Sequence, residues 1–151
     1  MRTLLAAATI LNGLLAGANA DRLIVGIPAL RKLGPLTWGE YSRHADLAPS
    51  GMAFYPTLAI GGTLLTIAAS VAAPASGAGR RPGAAAATLA AAGLLLTFKA
   101  GPNMLAVRHL GNDAEALRQR LDRFEYWSRL RGALQIGAFV AGICAFSDSR
   151  S

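Results

Sequence analysis

The 151-residue chain is poor in the residues from which most active sites are built. It has one cysteine, two histidines and eight acidic residues, and 15% of it is charged, where a soluble domain carries about a quarter. A single cysteine, Cys144, lies in an apolar run, which excludes a disulfide framework and a cysteine-based metal site. His44 and His109 have no acidic cluster beside both, so no metal site is predicted, and neither histidine lies where it would ligate haem inside a span. No Gly-rich phosphate loop, His-Glu-x-x-His pair or Gly-x-Ser-x-Gly elbow occurs. No cofactor is therefore expected. Repeats of 20–50 residues and low-complexity tails are also missing.

What the chain has instead is apolar sequence in blocks: 53% hydrophobic residues, with a formal net charge of +7 carried between those blocks. Basic residues between apolar runs fit anionic headgroups and topology signals better than nucleic acid. Four runs are long enough to cross a bilayer. They predict one all-α domain over 1–151, an antiparallel four-helix membrane bundle with spans near 3–28, 52–73, 83–108 and 127–146. Two short surface helices are expected between them. The abundance of alanine, glycine and arginine suggests a GC-rich genome, and the expected location is a bacterial cell membrane, multi-pass. More Lys and Arg fall in the two longer polar segments than at the termini and the Arg80-Arg81 linker, which favours both termini outside the cytoplasm.

The first run imitates a secretory signal, with Arg2, an apolar core and Ala18-Asn19-Ala20 as a small-x-small site. Asn12 interrupts that core, and LIVGIPAL resumes after Asp21-Arg22, so retention as a span is expected. Asn12 and Asn19 share a face two turns apart, and Gly13 and Gly17 form a small-xxx-small pair. Pro28 and Gly34-Pro35 are expected to break the helix. Thr37-Trp38-Gly39-Glu40 reads as a capping box, and Asn112 with Glu115 as the start of an amphipathic surface helix ending at Tyr126.

The most unusual stretch is LLLTFKAGPNMLAVRH, Leu94 to His109. It places Lys99, Pro102 and Asn103 where a membrane helix should still be apolar, and a lysine there costs roughly 2.5–3.5 kcal/mol. Lys99 either snorkels to the headgroups or faces a polar site inside the bundle. Antiparallel order brings Asn19, Asp21 and Arg22, Tyr55, Lys99 and Asn103, and Trp127, Arg131 and Gln135 to one end of the bundle. They would form a net-positive pocket able to hold an organic anion. The alternative is that Asp21 pairs with an arginine and the rest anchor the helices at the interface.

Several of these features together resemble a known family. They are the Gly-rich first helix followed by Pro28-Ala29, the third helix ending in Pro102-Asn103, and Trp127-x-x-x-Arg131 opening the fourth. The chain is similar in them to the anthrone oxygenase-like membrane proteins. The resemblance implies a cofactor-independent oxygenase that converts polyketide anthrones to anthraquinones, with Asn103 and the Trp127/Arg131 pair as the matching residues. Lys99 departs from it, since a neutral polar residue is expected there.

The function expected is oxidoreductase chemistry on a hydrophobic, ionisable aromatic of the anthrone or quinol kind. In that scheme Lys99 or His44 takes a proton and Arg131 and Arg22 hold the enolate. Asn103 and Gln135 orient its oxygens, Trp127 stacks on the ring, and Asn19 and Tyr55 complete the pocket. The expected partners are that aromatic molecule and membrane lipid, with no nucleic acid; homo-oligomerisation stays open. The alternative function is a non-enzymatic membrane subunit or a lipid- or quinone-binding helper.

Overall fold

The computed structural model describes residues 2–73 and 80–148, and all of its regular structure is helical. Helix α1, Arg2–Asp21, runs through a wider π-helical turn, Arg22–Gly26, into α2, Ile27–Leu33. Next come α3, Pro35–His44, and α4, Pro49–Ala72. Helix α5, Arg80–Ala106, tightens into a 3₁₀ turn at Val107–His109, and α6 spans Ala114–Asp148. Four helical runs are long and apolar enough to cross a membrane: Arg2–Leu33, Pro49–Ala72, Arg80–His109 and Ala114–Asp148. In cross-section they form a ring, with α1 packed on α4 and α6, and α5 on the same two. The chain is a multi-pass membrane protein of the predicted all-α, four-helix kind.

Pro28 does not end the first helix. It lacks an N–H and its ring crowds the carbonyl four residues back, and the chain absorbs this one turn earlier. There the Ile27 amide reaches back five residues to the Arg22 carbonyl. Such π-turns are short and recur at functional sites; here the turn begins at Arg22. The helix stops at Gly34, whose φ of 95° suits a residue without a Cβ. Gly34 also precedes α3, whose first turn holds Pro35 and has no side-chain cap. The capping box expected at Thr37 is therefore not formed.

The expected surface helix and fourth span are one helix of 35 residues, about 52 Å long against a hydrocarbon core of about 30 Å. Nothing at Tyr126-Trp127 breaks it, and Glu125 bridges the junction by accepting from Arg129 four residues on at 2.6 Å. It is Asp113, not Asn112, that caps this helix, accepting the Ala116 amide at 3.0 Å. The polar half of α6 is tied down from the other side as well. Arg31 donates to both Asp122, at 2.9 Å, and Glu125, at 2.6 Å.

Both asparagines of α1 are buried and bond across the bundle. Asn12 donates to Thr66 of α4 at 2.7 Å, and Asn19 to Gln135 of α6 at 2.5 Å. Within hydrocarbon an amide without a partner is costly, so these bonds fix the rotation of α1 between its neighbours. Gly13 gives close approach, since a Cβ there would lie 2.8 Å from the Phe139 ring. Gly17, expected to share that seam, is exposed and meets nothing. Where α3 crosses α6, a larger core collects Ile27, Trp38, Leu47, Met104, Leu117, Leu121 and Phe124. That core floors the cavity described next.

Candidate functional site

The cavity, of about 200 Å³, lies at the α3 end of the ring. Its polar lining is Asn19, Arg22, Asp46, Tyr55 and Arg131; Leu47, Phe124 and Met104 are among its apolar walls. Helix α1 supplies Asn19 and the π-turn Arg22. The segment between α3 and α4 supplies Asp46, α4 supplies Tyr55 and α6 supplies Arg131.

The two arginines are in different states. Arg22 is paired: both terminal nitrogens donate to Asp46, each at 2.5 Å, in a fork matched to the carboxylate, while its Nε, like that of Arg131, has no partner. Its guanidinium carbon also lies 5.0 Å from the Phe124 ring centre and 5.8 Å from that of Tyr55, within cation–π range. The pair is nearly buried, with side-chain exposures of 14% and 7%. Arg131 has no such counterion among the described residues. Its one bond is long, 3.4 Å to Asn19 Oδ1, and its buried Nε has no partner. Asn19 is held for this contact, because its amide nitrogen is already committed to Gln135 and to the Leu15 carbonyl at 2.7 Å. With Arg22 and Asp46 cancelling, the cavity carries the uncompensated charge of Arg131. A half-buried cation without a counterion carries a standing desolvation cost that an incoming anion removes.

The segment holding Asp46 is set by Gly51. A Cβ on Gly51 would lie 2.2 Å from the Ala45 carbonyl oxygen and 2.8 Å from that of Asp46. Both are backbone atoms that cannot rotate away. Gly51→Ala should therefore displace Asp46 from Arg22 and destabilise the protein by about 1–3 kcal/mol, as overpacking against a fixed wall does. Thermal unfolding in detergent reads this, with Gly61→Ala as control because a Cβ there meets nothing within 4 Å. Equal melting of the two variants would show that the segment is free to move.

Of the residues anticipated from sequence, Asn19, Arg22, Tyr55 and Arg131 line the cavity, and Gln135 stands behind Asn19. Lys99 does not. It is exposed, and at about 100° per residue it lies on nearly the opposite side of α5 from Gly101, which does line the cavity. Lys99 and Asn103 share a face as expected, but that face is turned away. Asn103 is buried and donates to the Lys99 carbonyl at 2.9 Å, away from the cavity lining. Trp127 packs against the larger core and meets Tyr126 edge-on at 5.0 Å, outside the cavity lining where it was expected to stack on a ligand ring. His44 is exposed and bonded to Glu40 at 2.8 Å. Together with Arg43, the stronger influence, it holds the Glu40 carboxyl below the usual carboxylate range. His44 and Glu40 both lie at the surface, outside the cavity.

Asp21, expected as the acidic member, is exposed; Asp46 takes that place. Its sequence signal was faint: an acid one turn ahead of the α4 apolar run, with no cation adjacent in the chain. Among the described residues no group of three or more His, Cys, Asp or Glu is placed to hold a metal. The chain matches no protein-family model, no curated protein and no solved structure.

Proposed function

We propose that this membrane protein holds the anion of a small, hydrophobic, ionisable aromatic, of the quinol or anthrone class, on Arg131 in the cavity. The observation that carries this is a half-buried guanidinium without a counterion among the described residues, aligned by Asn19 and facing a cavity with apolar walls. Such a site favours the ionised form of a phenol or enol over the neutral one. Phe124 and Tyr55 give an aromatic ring flat surfaces to lie against.

The reaction this supports is cofactor-independent oxygenation, because the bound carbanion is the electron-rich form that dioxygen attacks. For an anthrone, the ring methylene loses two hydrogens, which leave with one oxygen atom as water. The second oxygen atom becomes the new carbonyl. The first proton goes to interfacial water, because Lys99 and His44 lie outside the cavity. Asp46 is its one carboxylate, and that is engaged by Arg22. This engagement favours the second reading, a quinol-binding helper without turnover of its own.

Titration of the purified protein with 1-naphthol, alongside oxygen uptake with anthrone and 1,4-naphthoquinol, tests the proposal. Binding with uptake on anthrone above the protein-free rate supports the oxygenase; binding without it supports the helper. Failure to bind 1-naphthol, with no uptake on either substrate, removes the proposal.

A further inference from the structure

The cavity is closed at its Asp46 end and open on the side of α4 and α5. At the closed end Asp46 and Leu47 are both buried and Asp46 is locked to Arg22. The lining residues from α1 and α6, namely Asn19, Arg22, Phe124 and Arg131, are buried or half-buried. The exposed lining residues all belong to α4 and α5: Met52 is 40% exposed, Leu105 43%, and Pro56 is exposed beside them. Gly101 of α5 lines the same side and leaves open space where a side chain would project. The opening is therefore a lateral cleft between two membrane-spanning helices, apolar at its rim and cationic at its base.

Size constrains what enters. A cavity of about 150 Å³ accepts benzene, so one of about 200 Å³ takes one ring or two fused rings, and the third ring of an anthrone or an alkyl chain extends into the cleft. Resting on the binding role of Arg131 proposed above, we infer that the ligand is a single-tailed amphiphile loaded sideways from the bilayer. Its acidic head, a phenolate or a carboxylate, pairs with Arg131, while its alkyl chain lies in the α4–α5 cleft among Met52, Pro56 and Leu105.

Gly101→Leu fills the cleft without touching either arginine. The matched control is Gly17→Leu, at an exposed glycine outside the cavity that also has nothing within 4 Å. Both proteins and the parent, in phosphatidylcholine nanodiscs, are titrated with 2-decyl-1-naphthol, with decanoic acid and with 1-naphthol, which has the head and no tail. Binding of the tailed ligands should fall about tenfold in Gly101→Leu, as expected when roughly two methylenes lose their contacts, and stay unchanged in Gly17→Leu. Binding of 1-naphthol should fall by less than that of the tailed ligands, because it has no chain in the cleft. Met52→Trp, at the other lip, should reproduce the pattern if Gly101→Leu melts early. Loss with both tailed ligands, or with one of them, supports the cleft and identifies the head. If the parent binds 1-naphthol and both cleft variants bind the tailed ligands as the parent does, lateral loading is wrong and the role of Arg131 stands. If the parent binds none of the three, the Arg131 reading fails and the cleft proposal fails with it.

Discussion

Asp46→Ala should lower stability by about 2–4 kcal/mol, while Arg22→Met combined with Asp46→Leu should restore the parent's melting to within about 1 kcal/mol. Removing one partner of a buried ion pair typically costs about 3–5 kcal/mol, mostly because the surviving charge is left desolvated. Arg22 has two mitigating neighbours, Phe124 at 5.0 Å and Tyr55 at 5.8 Å, which return up to about 2 kcal/mol to an unpaired cation. Arg22 cannot relax to water easily, since its side chain is 14% exposed. The double variant removes both charges at once. Apolar residues of similar volume then occupy a site already walled by Leu47 and Phe124, the situation in which a buried pair is replaced at little cost. Thermal unfolding of the three proteins in one detergent, with repeated scans for reversibility, gives the comparison. Were the double variant as unstable as Asp46→Ala, the loss would come from the segment around Asp46 and not from a stranded charge.

The four spans could be read from the sequence because apolar run length alone decides them, and the cross-bundle role of α1 was legible in Asn12 and Asn19 sharing one face. Rotation about a helix axis was not legible. Lys99 and Asn103 are correctly placed on one face of α5, yet only packing against α4 and α6 determines that this face turns from the cavity. Helix ends that depend on a single residue were also missed. Pro28 looked like a stop, and the π-turn beginning at Arg22 carries the helix past it. The charged half of α6 looked like a separate surface helix because its composition changes abruptly at Tyr126. Composition is not a break, and Glu125 with Arg129 joins the two halves. The acidic partner of Arg22 was the largest omission. Asp46 lies 24 residues away, and no periodicity relates a residue between two helices to a π-turn in another.

Arg131 should behave in the opposite way to Asp46: its loss should harm binding and spare the fold. Arg131→Met removes a half-buried cation that has no counterion and only a long bond, 3.4 Å, to Asn19. Little is forfeited, and a desolvation cost is relieved. Melting should therefore stay level or rise, the pattern expected where a residue is kept for function at the expense of stability. Binding of 1-naphthol should fall about a hundredfold, since a charge-assisted hydrogen bond in a desolvated site is worth roughly 1.5–3 kcal/mol. Arg131→Lys separates charge from shape. It keeps the cation, so insertion and long-range attraction persist. The compact ammonium lacks the planar fork and the Nε donor, and binding should fall about tenfold, intermediate between parent and Met. An interfacial anchor would give a different order: Lys would match the parent in binding, and Met would lower melting by exposing the helix end to the wrong environment. If Arg131→Met destabilises the protein as strongly as Asp46→Ala while Arg131→Lys binds 1-naphthol as the parent does, Arg131 is an anchor and the cavity has no anion-binding residue.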